Sequence, residues 1–192
     1  RENEGIFIAP LTITMEGKSY LDDIEIHSID VFKRMEKDDI MVMTSQPSTG
    51  SLQEAVQKIK DQGYSHVIGL PIATGLSSTM NGMKLACDML EMPVTLVDTK
   101  GTASNQKYLV EVAAKLAREG KSPEEIKDIL EKLVEDSATI IMVPNLEHLK
   151  KGGRITPAVA ALAGLLKIVP IMKLNYSLGG KIDSFGKGRT AK

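Results

Sequence analysis

Ala73-Thr74-Gly75-Leu76-Ser77-Ser78-Thr79-Met80 is the stretch on which the fold turns. Before it runs an apolar segment, His66-Val67-Ile68-Gly69-Leu70-Pro71-Ile72, with the length and composition of a buried strand. After it, Met80–Leu90 reads as a helix. Four hydroxyl side chains, Thr74, Ser77, Ser78 and Thr79, therefore sit where a strand hands over to a helix. A helix N-terminus leaves backbone N–H groups unpaired and carries the positive end of the dipole. Hydroxyls there can join the amides in holding an anion. They can also simply cap the helix. A second stretch has the same form. The strand candidate Asp39-Ile40-Met41-Val42-Met43 runs into Thr44-Ser45-Gln46-Pro47-Ser48-Thr49-Gly50. Two hydroxyl-rich strand ends on successive strands exceed what capping requires.

Outward from this stretch, strands and helices alternate. Residues 6–15 alternate in polarity as a strand pair broken by Pro10, and Glu16-Gly17-Lys18 forms a turn. Ser28 opens a short helix over 28–37. Leu52, Ala55, Val56 and Ile59 share one face of a helix over 51–61, stopped by Gly63. Pro93 introduces a strand at 94–98, and Asp98-Thr99-Lys100-Gly101-Thr102 is a third strand-end loop before a helix over 103–119. Ser122-Pro123-Glu124-Glu125 is a capping box with proline at the first helical position. Its helix carries the apolar stripe Ile126, Ile129, Leu130, Leu133 and Val134. A strand at 138–143, a helical turn at 146–151 closed by Gly152-Gly153, an apolar helix from Thr156-Pro157 to Leu166 and a strand at 168–174 follow. Gly179-Gly180 then turns a hairpin. This order predicts an α/β fold with a mostly parallel sheet flanked by helices. Ligands of such folds bind at the carboxyl ends of the strands. The loops after Met43, Ile72 and Asp98 are therefore expected on one rim. Gly120 and the capping box offer a boundary near residues 119–122, giving domains 1–120 and 121–192, and the same residues fit a single domain equally well.

Composition narrows the function. A chain of 192 residues, 42% apolar, can bury a real core. A net charge of -1 argues against a protein that reads a phosphate backbone. The single cysteine, Cys87, cannot form an internal disulfide and suits a reducing cytoplasm. No apolar run approaches the ~20 residues of a membrane span. Ten methionines stand against seven aromatic residues. Methionine fits a lining that must accept a long flexible ligand, and fits ordinary gap-filling as well.

Several chemistries lack their residues. There is no Walker A sequence and no G-x-G-x-x-G after a strand. His27, His66, His148 and Cys87 are not spaced as a metal site. Gly75-Leu76-Ser77 begins like a nucleophile elbow, but position 79 is threonine. A serine hydrolase built on Ser77 with His148 and Asp98 is one alternative reading, since triad members lie far apart in a chain. A structural or regulatory module without ligand, its hydroxyl loops serving as caps, is the other. Asp98 also reads as an anchor for its own loop. Arg154, between Gly152-Gly153 and an apolar helix, can reach a carboxylate with its fork of donors.

Taken in order, these motifs resemble the DegV family. Pro10-Leu11-Thr12-Ile13 with Gly17, Tyr20 and Asp22 is similar to its early segment. Thr44-Ser45-Gln46-Pro47-Ser48 matches its T-S-Q-P-S signature. Gly75-Leu76-Ser77-Ser78-Thr79 resembles its S-S-x-L-S-G-T loop, with Ala73 and Thr74 in place of the two serines and Ser78 in place of the glycine. Leu146-Glu147-His148-Leu149-Lys150-Lys151-Gly152-Gly153-Arg154-Ile155 matches L-x-x-L-K-K-G-G-R-I. The resemblance implies a two-domain protein that binds one long-chain fatty acid between its domains. The first domain would be incomplete at its start and the second would lack its C-terminal end. The acyl chain would lie in an apolar tunnel. Thr44, Ser77 and Arg154 would contact the carboxyl group, with Ser45, Thr74 and Ser78 beside it. The protein would not itself be an enzyme. It would present the carboxylate to the ATP-binding subunit of a fatty acid kinase, which forms acyl phosphate for phospholipid synthesis. No cofactor or metal, no nucleic acid and no stable membrane insertion are implied.

Overall fold

The computed structural model describes residues 5–38, 40–143, 146–161 and 168–189. The chain forms two compact units, Arg1–Val67 with Asn81–Val94, and Ile68–Met80 with Thr95–Lys192. Strands β4 (Val67–Gly69) and β5 (Val94–Leu96) and helix α3 (Thr79–Met89) each pass from one unit to the other.

In the first unit, β1 (Thr12–Met15) and β2 (Lys18–Leu21) are joined by Glu16 and Gly17, both at positive φ. That two-residue turn has the twist of an antiparallel hairpin, and Ile13 faces Tyr20 across it. On its other side β1 pairs antiparallel with β3 (Val42–Ser45). Alternation along β1 turns Ile13 and Met15 inward onto Val31 of α1 (Ser28–Asp38) and onto Ile26. Helix α2 (Thr49–Asp61) starts where Ser48 Oγ accepts the Ser51 N–H at 3.0 Å. It buries Leu52, Val56 and Ile59 against Ala86 and Cys87 of α3. The Cys87 thiol is pushed up from its ordinary pKa, first by burial and then by Asp88.

In the second unit, α4 (Ala103–Arg118) and α5 (Pro123–Glu135) pack on each other. Leu109 and Ala113 of α4 share one core with Ile126, Leu130 and Val134 of α5, and with Leu70 and Val97. The predicted capping box is present: Ser122 Oγ accepts the Glu125 N–H, and Glu125 accepts the Ser122 N–H at 2.9 Å. A division at residue 120 falls between these two helices, inside one unit. Gly120, at φ +80°, follows the C-terminal end of α4. A second core lies under the sheet β6 (Ala138–Met142), β7 (Ile168–Asn175) and β8 (Asp183–Arg189). Met172 and Leu174 of β7 meet Leu146, Val159, Ile182 and Ala73 there. Short helices α6 (Glu147–Gly152) and α7 (Pro157–Ala160) connect β6 to β7. The expected continuation of α7 to Leu166 lies outside the described residues.

The α/β class is as expected, but the strand pairing corrects the sequence reading. Among the described residues, β1–β2, β1–β3, β6–β7 and β7–β8 are all antiparallel. Only β4–β5 is parallel. Val67 donates to Pro93 O at 2.9 Å and Val97 to Gly69 O at 3.0 Å, so the bonds advance the same way along both strands. Helix α3 is their crossover. Elsewhere the connections at 16–17 and 176–182 are too short for a parallel return.

Candidate functional site

The decisive stretch folds as a tight turn in the second unit. Leu76 and Ser77 both donate backbone N–H to Ala73 O, at 2.9 and 3.2 Å. Ala73 is fully buried, and its own N–H reaches Gly101 O at 2.9 Å. The turn lies hard against the turn between β7 and β8. A Cβ on Gly75 would stand 2.2 Å from Gly180 O, and a Cβ on Gly180 would stand 2.9 Å from the Ala73 Cβ. Glycine is required at both places by this close approach, and at Gly180 also by φ +71°.

Ser77 and Thr79 form a hydroxyl pair where α3 begins. Their oxygens are 2.7 Å apart, and Ser77 Oγ also accepts the Thr79 N–H at 3.3 Å. Thr79 is buried, Ser77 half-buried and Ser78 exposed. When Thr79 donates within the pair, the Ser77 proton is left to point outward. No acidic residue stands in the first turn of α3 to compete with an anion for the helix N-terminus.

Thr74 is held differently. Its N–H donates to Asp98 Oδ1 at 3.1 Å and its hydroxyl makes a short bond to Asp98 Oδ2. Lys100 donates to the same carboxylate twice, by N–H to Oδ1 at 3.1 Å and by Nζ to Oδ2 at 2.7 Å. Burial alone would raise the Asp98 pKa. The hydrogen bonds from Lys100 and Thr74 outweigh it and hold the carboxyl below its ordinary value. Asp98 thus anchors the loop after β5 to the turn after β4. Thr99 adds a buried hydroxyl bond to Pro71 O at 2.8 Å, and Gln106 Nε2 reaches Leu70 O at 2.8 Å. Two of the three strand-end loops expected on one rim, those after Ile72 and Asp98, are therefore joined side by side. Lys100 in this loop and Ala103 at the start of α4 hold positive φ, at 46° and 52°. Asn105 Nδ2 is buried there without a hydrogen-bond partner.

The other expected site residues lie elsewhere. Thr44 and Ser45 belong to the first unit and are exposed. They are not in a loop, as the sequence reading had them, but in β3, opposite Ile13 and Thr12. Pairing with β1 extends the strand past Met43. The nearby Ser48 caps α2. Arg154, exposed in the second unit, follows Gly153, whose φ of +70° turns the chain out of α6. Its guanidinium bonds Gly152 O at that helix end. Of the alternative triad, Ser77 is bonded to Thr79, and Asp98 is bonded to Thr74 and Lys100 rather than to an imidazole. The His148 side chain lies outside the described residues. Among the described residues no group of three His, Cys, Asp or Glu side chains is placed to hold a metal. No described helix is long and apolar enough to cross a membrane. Lys100, Thr79 and Asn105 were not among the expected site residues. Thr79 was visible as one of the four hydroxyls of the opening stretch, and a Lys two residues after a strand-end Asp was the sequence signal for Lys100.

An α/β chain with a hydroxyl turn at a helix start, tied to a charge-balanced Asp–Lys loop, is the class of protein these features define. The family model described as the uncharacterised DegV family matches residues 1–192. The chain belongs to the DegV family. A DegV domain-containing protein of Streptococcus pneumoniae is 30% identical over 192 residues, covering 100% of this chain and 67% of that protein. Among solved structures, a fatty-acid-binding DegV family protein of Thermus thermophilus matches with TM-score 0.85 and 31% identity over 99% of this chain and 66% of its own. DegV of Bacillus subtilis, described as a fatty acid binding protein, matches with TM-score 0.85 and 30% identity, covering 99% and 67%. A stearic-acid-binding protein of Eubacterium ventriosum matches with TM-score 0.86 and 27% identity, covering 98% and 66%. The chain spans about two thirds of the length of these relatives.

Proposed function

We propose that this protein binds one long-chain fatty acid and holds its carboxyl group with Ser77, Thr44 and Arg154, flanked by Ser45, Thr74 and Ser78. The observation that carries the reading is the Ser77–Thr79 hydroxyl pair at the start of α3, on a fold whose structural neighbours are described as fatty-acid-binding. A hydroxyl with a free proton at a helix N-terminus suits a carboxylate. The protein has no chemistry of its own in this reading. It presents the carboxylate to an ATP-dependent kinase subunit that forms acyl phosphate for phospholipid synthesis in the bacterial cytoplasm. The acyl chain lies in an apolar tunnel, where the methionine-rich composition would serve it. The test is organic extraction of the purified chain followed by mass spectrometry. A stoichiometric C16–C18 acid is expected. An empty extract, with no thermal shift on adding oleate, would remove the fatty acid from consideration.

A further inference from the structure

Asp98 raises a question that the fatty-acid reading leaves open. It is an anionic carboxylate bonded directly to Thr74, a residue assigned to the surroundings of a second carboxylate. Two uncompensated carboxylates so placed repel each other. Asp98 takes both the N–H and the O–H of Thr74, so the single proton of that hydroxyl is already committed. Only Thr74 lone pairs remain for a ligand, and they offer nothing to an anion. Lys100 supplies the compensation: Nζ is 2.7 Å from Asp98 Oδ2, and the pair is largely enclosed, with side chains 23% and 14% exposed. The Lys100 stem runs along the glycine turn, since a Cβ on Gly180 would meet Lys100 Cδ at 3.3 Å. Its positive φ of 46° shows that the loop bends against ordinary backbone preference at this residue.

Resting on the fatty-acid reading, we propose that Asp98 and Lys100 set the charge specificity of the head-group site. Asp98 is the positioning residue, fixing Thr74 and the turn that carries Ser77. Lys100 cancels the charge that this arrangement places beside an anionic head group. Neither residue touches the ligand. They decide how well an anionic carboxylate is preferred over an uncharged ester of the same chain.

The measurement is the ratio of affinities for isotope-labelled palmitate and for its uncharged methyl ester, by size-exclusion retention at neutral pH. Lys100→Met uncovers the Asp98 charge, so the palmitate-to-ester ratio should fall by about tenfold at an effective dielectric near that of a protein surface. Asp98→Asn leaves the Lys100 cation unopposed, so the ratio should rise. The double variant should return near the wild-type ratio. A purely structural role weakens both ligands together and leaves the ratio where it was. A ratio unmoved in a folded variant, or moved against its stated direction, overturns the proposal. Each variant is read against its own ester control, so either one decides if the other fails to fold. A wild-type chain that retains neither ligand overturns the fatty-acid reading itself, and this inference with it. That failure is distinguishable because it lies in the unaltered protein.

Discussion

Thr74 and Ser77 stand three residues apart, yet their hydroxyls have different work. Thr74 donates its hydroxyl hydrogen bond to Asp98, while Ser77 Oγ can accept both the hydroxyl and the N–H of Thr79 and keep its own proton for a ligand. The sequence could not separate the two roles, because the partner of Thr74 lies 24 residues away. Ser77→Ala should therefore weaken palmitate affinity by the loss of a charge-assisted bond, on the order of 1.5–3 kcal/mol. Retention measured on the extracted ligand checks this, and an unchanged affinity removes Ser77 from the site. Asp98 makes a separate prediction about pH. Its folded carboxyl is held below its ordinary value, so its stabilisation is complete above that value and is lost as pH falls through the depressed one. Thermal midpoints should drop on acidification below about pH 4, and Asp98→Asn should flatten that dependence. An equal acid slope in wild type and variant would mean that other carboxylates set it.

At the scale of elements, what was legible was local. The Ser122–Glu125 capping box, the Gly17 hairpin and the Gly179-Gly180 turn all follow from residues within four positions of one another. Helix starts and stops were legible for the same reason, the end expected at Leu166 lying outside the described residues. Sheet pairing was not. β3 pairs with β1 across helix α1, and that long-range choice puts Thr44 and Ser45 in a strand rather than a loop. Alternating strands and helices suggested parallel pairing, but tight hairpins and antiparallel ladders account for every described pair except β4–β5. Nor does the sequence announce that Gly75 meets Gly180, 105 residues on. Here the prediction is sharp. Gly75→Ala drives a Cβ to 2.2 Å from a backbone carbonyl oxygen, which no rotamer relieves. It should destabilise by about 1–3 kcal/mol or more. Gly50→Ala, in α2 with only Ser48 Oγ at 3.8 Å, should hold or raise stability. Paired urea titrations compare them. Equal midpoints would mean that the two turns are not locked together.

For the whole molecule, ligand and fold are linked by mass action. Anything that binds the folded chain and not the unfolded one stabilises it by RT ln(1 + [L]/Kd). Palmitate at a hundredfold excess over its dissociation constant would add about 2.7 kcal/mol. In a chain of this length, 1 kcal/mol moves the thermal midpoint by roughly 2–4 °C, so the shift should reach several degrees. The shift should grow with the logarithm of palmitate concentration and should shrink in Ser77→Ala. Leu130→Ala provides the contrast. Leu130 is fully buried in the α4–α5 core, and its truncation should cost about 2–5 kcal/mol whether or not palmitate is present. Leu130 is a core side chain and not a ligand-binding group, so the palmitate increment in Leu130→Ala should equal that of the wild type within about 0.5 kcal/mol. If instead the increment disappears with Leu130, the stabilisation comes from palmitate coating exposed apolar surface. The hydroxyl turn would then not be where the fatty acid is held.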